Sequence, residues 1–148
     1  MSCLTTATNF DLDLANITIS HLAMVESTSS ARCELKDFLP GFAPNVICTF
    51  PNPSDSSESV ILSAHYDSRG SFGSTRAPGG DDDASGSAHL LAIAEAVGKT
   101  GVEFQKKVIF GWFAGEEQGL LGSHAFAGEF GFLTRMWIQL ISGYRGIE

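Results

Sequence analysis

Gly79-Gly80-Asp81-Asp82-Asp83-Ala84-Ser85-Gly86 stands at the head of an apolar helical run, and the rest of the chain is organised around it. Three consecutive carboxylates repel one another. A helix N-terminus offsets part of that cost, because its unpaired N–H groups and its dipole favour negative charge. By itself the stretch reads equally well as an acidic capping turn. Two flanking segments change its meaning. Upstream, Val60-Ile61-Leu62-Ser63-Ala64-His65-Tyr66-Asp67 is a strand-like apolar run that ends in a histidine and an aspartate. Downstream, Val108-Ile109-Phe110-Gly111-Trp112-Phe113-Ala114-Gly115-Glu116-Glu117 is a second such run that ends in two glutamates. A strand, a helix and a strand in this order predict an α/β fold. In open sheets of that class the reactive groups gather at the carboxyl ends of the strands.

The composition sets bounds on what such a fold can do. The chain's 148 residues suit one domain, and 43% hydrophobic residues suffice for a sizeable core. A net charge of -8 argues against a nucleic-acid partner. Lys106-Lys107 is the only adjacent basic pair and reads as a solvated strand start. No run approaches the roughly 18 consecutive apolar residues of a membrane span, so no membrane association is expected. The N-terminus, Met1-Ser2-Cys3-Leu4-Thr5-Thr6, is not a signal peptide as written. Cys33 and Cys48 would pair in a secreted protein and leave Cys3 over; three ordinary thiols fit the spacing as well. Asn16-Ile17-Thr18 is a glycosylation sequon only in a chain that enters the secretory path.

Taken in order, residues 1–15 show no clear period and are expected to be loosely ordered. Ile19, Leu22, Ala23 and Val25 predict a short helix over Asn16–Glu26, and a second helical piece is expected over Ala31–Leu39, closed by Pro40-Gly41. Asn45–Phe50 reads as a strand and Pro51–Ser57 as a turn cluster. Ser59–Ala64 is the next strand, expected antiparallel to the one before because the connection is short. Asp67–Pro78 is a polar, glycine-rich loop and a candidate substrate rim. Ala84–Gly98 predicts a helix closed by Gly98, and Lys107–Ala114 a strand buried on both faces. A third helix is expected over Gly119–Phe130, and one more strand over Arg135–Ile141.

The chemistry rests on few residue types. On a strand, His65 and Asp67 share a face. An imidazole that binds zinc through one nitrogen needs its other N–H held by an acceptor, which Asp67 supplies. A structural histidine beside a loop is the plainer reading of His-x-Asp alone. Adjacent acids at a strand end point in opposite directions, so of Glu116 and Glu117 one can bind metal while the other faces a pocket. A His, an Asp and a Glu delivered from such ends make up the inventory of a zinc hydrolase. Other sites are excluded: there is no His-Glu-x-x-His and no Gly-x-Ser-x-Gly, and Gly98-Lys99-Thr100 lacks the preceding glycine of a phosphate loop. His21, His89 and His124 read as surface or packing residues.

Ala64-His65-Tyr66-Asp67-Ser68, Pro78–Gly86 and Phe113-Ala114-Gly115-Glu116-Glu117-Gln118-Gly119-Leu120-Leu121-Gly122-Ser123 together resemble the co-catalytic zinc aminopeptidases, which include bacterial leucyl aminopeptidase and secreted fungal exopeptidases. The resemblance covers roughly Phe38–Gly128, and Phe38–Asn45 looks like the fungal members. It implies a three-layer sandwich with a mixed, mostly parallel central sheet flanked by helices. It also implies a single, partial zinc-peptidase domain over residues 1–148, with a divergent tail over 129–148. His65 and Glu117 would each bind a zinc, Asp82 would bridge two zinc ions, and the Asp82–Asp83 peptide would be cis. Asp67 would orient His65, and Glu116 would be the general base. The substrate would be the N-terminus of a peptide or protein, and the setting extracellular.

The departures from the family pattern matter as much. A further Asp is expected on the next strand, but Met136–Ser142 holds none, and no His follows His124. The metal site is therefore expected to be incomplete and the chain a truncated piece of a longer enzyme. A metal-free peptidase-like module and a single-zinc glutaminyl-cyclase-like enzyme are the alternatives that the resemblance leaves open. Oligomeric state and residue preference are not legible.

Overall fold

A computed structural model of the chain describes residues 2–53, 58–71, 73–129 and 138–140. Its elements run α1 (Ser2–Thr28), β1 (Arg32–Lys36), β2 (Asn45–Phe50), β3 (Ser59–His65), α2 (Ser85–Thr100), β4 (Lys107–Phe113), α3 (Leu121–Glu129) and β5 (Ile138–Leu140). The strands order as β1-β2-β4-β3-β5. β4, β3 and β5 pair in parallel, while β2 is antiparallel to both of its neighbours, β1 and β4. The sheet is thus mixed, with only β2 reversed.

Alternation along the strands sorts the core into two layers. Val46, Cys48 and Phe50 of β2 share one face with Phe110 and Trp112 of β4, where Leu22 and Val25 of α1 and Leu90 and Ala94 of α2 cover them. Ile47, Ile61, Ile109 and Phe113 face the other way and meet Phe126 of α3. Trp112, Phe50, Phe110, Leu22 and Leu90 are the largest fully buried side chains. Each contributes roughly 1.5–3 kcal/mol relative to an exposed position. Trp112 also donates its indole N–H to the Ser87 carbonyl at 3.1 Å, which ties β4 to the first turn of α2.

Several expectations are corrected. The stretch expected to be loosely ordered is helical from Ser2, where α1 begins, and α1 buries Ala15 together with Leu22 and Val25. The segment expected as a second helix over Ala31–Leu39 is instead β1. Cys33 and Leu35 alternate with Arg32, Glu34 and Lys36, and the strand pairs with Asn45–Thr49 in register. That register sets Cys33 opposite Cys48, and the two are disulfide-bonded; the side chain of Cys3 lies outside the described residues. β3 runs antiparallel to β2 but does not pair with it, because β4 lies between them. α2 passes through Gly98 and closes at Gly101, which takes the left-handed conformation (φ 63°). Gly98 serves contact instead: a methyl there would lie 2.9 Å from Val25 Cγ1. Of the expected strand Arg135–Ile141, Ile138–Leu140 is a strand and the remainder lies outside the described residues, as do residues 54–57 of the turn cluster and Phe72 of the loop.

Candidate active site

Parallel pairing of β3 and β4 brings their carboxyl ends side by side, with His65 opposite Phe113. The ladder extends one step further, since the Tyr66 N–H donates to the Phe113 carbonyl at 3.1 Å. The chain crosses from β3 to β4 through α2, so the acidic run at the head of α2 falls on the same edge. Gly80–Ala84 forms a kinked turn with a non-helical backbone at Asp82 and Asp83, entered through Gly79, at φ 51°. A side chain at Gly79 would be strained by that φ and would run into Ser68. The Asp82–Asp83 peptide is cis.

His65 is at the centre, its side chain 11% exposed. Nδ1 lies 2.9 Å from the Asp67 carbonyl oxygen, which can only accept, so Nδ1 carries a proton. The Asp67 carboxylate stands further off, at 3.6 Å. Nε2 points outward to Asp82 Oδ1 at 3.1 Å and Glu116 Oε2 at 3.9 Å. Burial disfavours a charge on this ring. The hydrogen bonds to Asp67 and the nearby Glu116 and Asp67 charges outweigh it and raise the pKa to about 9.

Asp67 does more than orient a histidine. Its carboxylate accepts the Glu116 N–H at Oδ1 and the Glu117 N–H at Oδ2, each at 3.1 Å. Burial alone would raise its pKa, but the hydrogen bonds from His65 and from those two amides hold it below the ordinary aspartate value. Glu116 and Glu117 sit in the turn after β4, not on the strand itself. As expected for neighbours they diverge: Glu116 faces His65, while Glu117 accepts the Arg69 N–H at 3.2 Å and lies 3.8 Å from Arg69 Nε. Burial raises the pKa of Glu116, and the neighbouring charges of Glu117, Asp67 and Asp82 add to the shift against the opposing pull of His65. His65, Asp82 and Glu116 are therefore brought together, and Glu117 is turned to the Asp67–Pro78 loop. Among the described residues no set of three His, Cys, Asp or Glu side chains converges closely enough to hold a metal ion.

Residues 45–140 match Peptidase family M28, a span that contains every one of these side chains. The chain belongs to that family. Over 99 residues it is 39% identical to leucine aminopeptidase 1 of Trichophyton rubrum, covering 62% of this chain and 26% of that protein. Over 110 residues it is 32% identical to a probable zinc metalloprotease of Pyrenophora tritici-repentis, covering 66% of this chain and 22% of that protein. The solved structure of the Legionella pneumophila LapA aminopeptidase matches with a TM-score of 0.72 at 23% identity, over 86% of this chain and 37% of that one; this likeness is one of fold. The M28 chain thus spans about a quarter of the length of the curated relatives it matches.

Two residues of this M28 site escape a reading of the sequence. Asp83 is buried, accepting the His65 N–H at 3.3 Å and the Gly86 N–H at 3.1 Å. It joins the end of β3 to the first turn of α2. Burial raises its pKa, against the lowering effect of His65 and the two amides. The acid three residues before Gly86 was a capping signal. Arg69 is the second, and nothing in the polar loop marked it as the partner of Glu117. His89 and His124 are exposed, and His21 Nδ1 of α1 lies 3.4 Å from Glu95 Oε1 of α2.

Proposed function

We propose that the chain carries the catalytic edge of a zinc-dependent aminopeptidase that cleaves the N-terminal residue from peptides. The observation that supports this most is the meeting of His65 Nε2, Asp82 Oδ1 and Glu116 Oε2 at the carboxyl ends of two parallel strands. The donor types fit zinc. With Nδ1 donating to the Asp67 carbonyl, Nε2 is the ring nitrogen turned to the carboxylate oxygens, and a cation there would take the place of its proton. His65, Asp82 and Glu117 would hold the metal, Glu117 after turning away from Arg69. A bound zinc pair supplies Lewis acidity that polarises a scissile carbonyl and acidifies a water.

The chain's own residues supply the remainder. Glu116 holds the proton taken from the attacking water at Oε2 and returns it to the departing amine. Burial shifts its pKa upward, the direction that suits that task, since a stronger base takes up a proton more readily. Asp67 fixes the ring of His65 through its carbonyl and the two glutamates through its carboxylate. The Asp67–Pro78 loop forms the rim where the peptide N-terminus would lie. The Cys33–Cys48 disulfide supports an oxidising, extracellular setting.

The test is hydrolysis of an amino-acid 4-nitroanilide by a version of the protein extended to the length of its relatives, with and without Glu116→Gln. The expected loss is about 10²–10⁴-fold in kcat with little change in bound zinc. Retained turnover in that variant removes Glu116 as the base. Absence of both zinc binding and turnover in the unaltered protein favours a metal-free peptidase-like module.

A further inference from the structure

Asn45 opens β2, and its side chain is almost wholly buried, with the residue 1% exposed. A buried amide needs partners for both its donor and its acceptor groups. Asn45 finds them on the two stems of one turn. Its Oδ1 accepts the Ala114 N–H at 3.1 Å, and its Nδ2 donates to the Gly122 carbonyl at 2.9 Å. Ala114 and Gly122 bracket Gly115–Leu121, the segment that carries Glu116 and Glu117. The side chain thus continues the β2–β4 ladder one residue beyond the end of β4 and ties that extension to the start of α3.

The space is shaped for this contact, since a methyl group at Gly122 would overlap both Asn45 Oδ1 and the Ala114 carbonyl. The turn adds its own bonds, from the Gly122 N–H to the Ala114 carbonyl and from the Leu121 N–H to the Gly115 carbonyl, each at 3.0 Å. At its base the ring of Phe42 packs against Gly115, whose φ of 68° and lack of a side chain permit the approach. Neither isostere can replace it: an aspartate carboxylate only accepts, and leucine does neither.

We propose that Asn45 is a positioning residue that holds the Glu116–Glu117 turn in place at the sheet edge, with no metal required to do so. Its bearing on catalysis rests on the function proposed above. The clamp itself can be tested independently of that function.

The experiment is amide hydrogen exchange on the 148-residue chain in metal-free buffer, comparing the unaltered protein with Asn45→Ala and Asn45→Asp. In Asn45→Ala the amides of Ala114, Glu116 and Glu117 are expected to exchange about tenfold faster or more, while those of Val108–Trp112 change little. Asn45→Asp keeps the acceptor for Ala114 and loses the donor to Gly122, so it should fall between the two. Zinc titration by calorimetry follows, with affinity about tenfold weaker in Asn45→Ala and less so in Asn45→Asp.

Unchanged exchange at Glu116 and Glu117 in a folded variant overturns the proposal. Unchanged zinc affinity in a variant with a loosened turn overturns its bearing on the metal site and leaves the clamp standing. If both variants lose protection across β4 together with the turn, Asn45 is a residue of the core and not a clamp. If the unaltered chain binds no zinc, the metal reading of this chain fails while exchange alone decides the clamp.

Discussion

Two acidic runs meet at one edge of the sheet and are held there by opposite means. In Asp81-Asp82-Asp83 a side chain does the holding. Asp83 turns inward and takes the N–H groups of His65 and Gly86, which leaves the Asp82 side chain 68% exposed and directed at His65. In Glu116-Glu117 the backbone is what is held. A distant acid, Asp67, accepts both amide N–H groups, and neither glutamate carboxylate is needed for the turn. An acid's neighbours in sequence therefore say little about its role. Within the first run, what separates Asp83 from Asp82 is whether the carboxylate is occupied by main-chain donors.

This contrast can be broken by substitution. The largest effect should come from Asp67→Ala, which leaves two amides of the second run without their acceptor. Hydrogen bonds to a buried charge are worth about 1.5–3 kcal/mol each, so a loss of about 3 kcal/mol is expected in urea unfolding. A loss near zero would mean that the turn stands without Asp67. Asp83→Ala should cost less, about 1–2 kcal/mol, because of its two bonds the one from the His65 N–H is long, at 3.3 Å, and the one from the Gly86 N–H is a cap-like bond at one end of α2, which keeps its packed face. Asp82→Ala should move stability by no more than about 0.5 kcal/mol, as expected of an exposed side chain. Its effect belongs in a calorimetric zinc titration, where affinity should drop by about tenfold or more. If Asp82→Ala destabilised the fold as much as Asp83→Ala, the division of labour within the first run would be lost.

The parts that the sequence made legible are those whose signals are local. β2, α2, β4 and α3 follow from continuous apolar runs and helical spacing, and His65, Asp82 and Glu116 sit where those runs end. β1 was not legible, because five residues of mixed character become a strand only by pairing with β2. The place of β4 between β2 and β3 was hidden for the same reason, since it is decided by contacts far apart in the chain. Gly98 resembled a helix stop, but its missing side chain serves the approach of Val25. Asp67 was legible as a partner of His65. Its larger task lies 49 and 50 residues downstream, and no spacing rule reaches that far.

The placement of Trp112 makes the protein a reporter on its own architecture. Its indole bonds to the carbonyl of Ser87, and the hydroxyl of Ser87 in turn donates to the carbonyl of His65 at 2.8 Å. One chromophore therefore touches the end of β4, the first turn of α2 and the end of β3 through two hydrogen bonds. Its emission should blue-shift only when all three segments have docked, so the folding step that assembles this edge has a built-in optical signal. Comparison with a Trp137→Phe variant would assign that signal to Trp112, with no label attached to the chain.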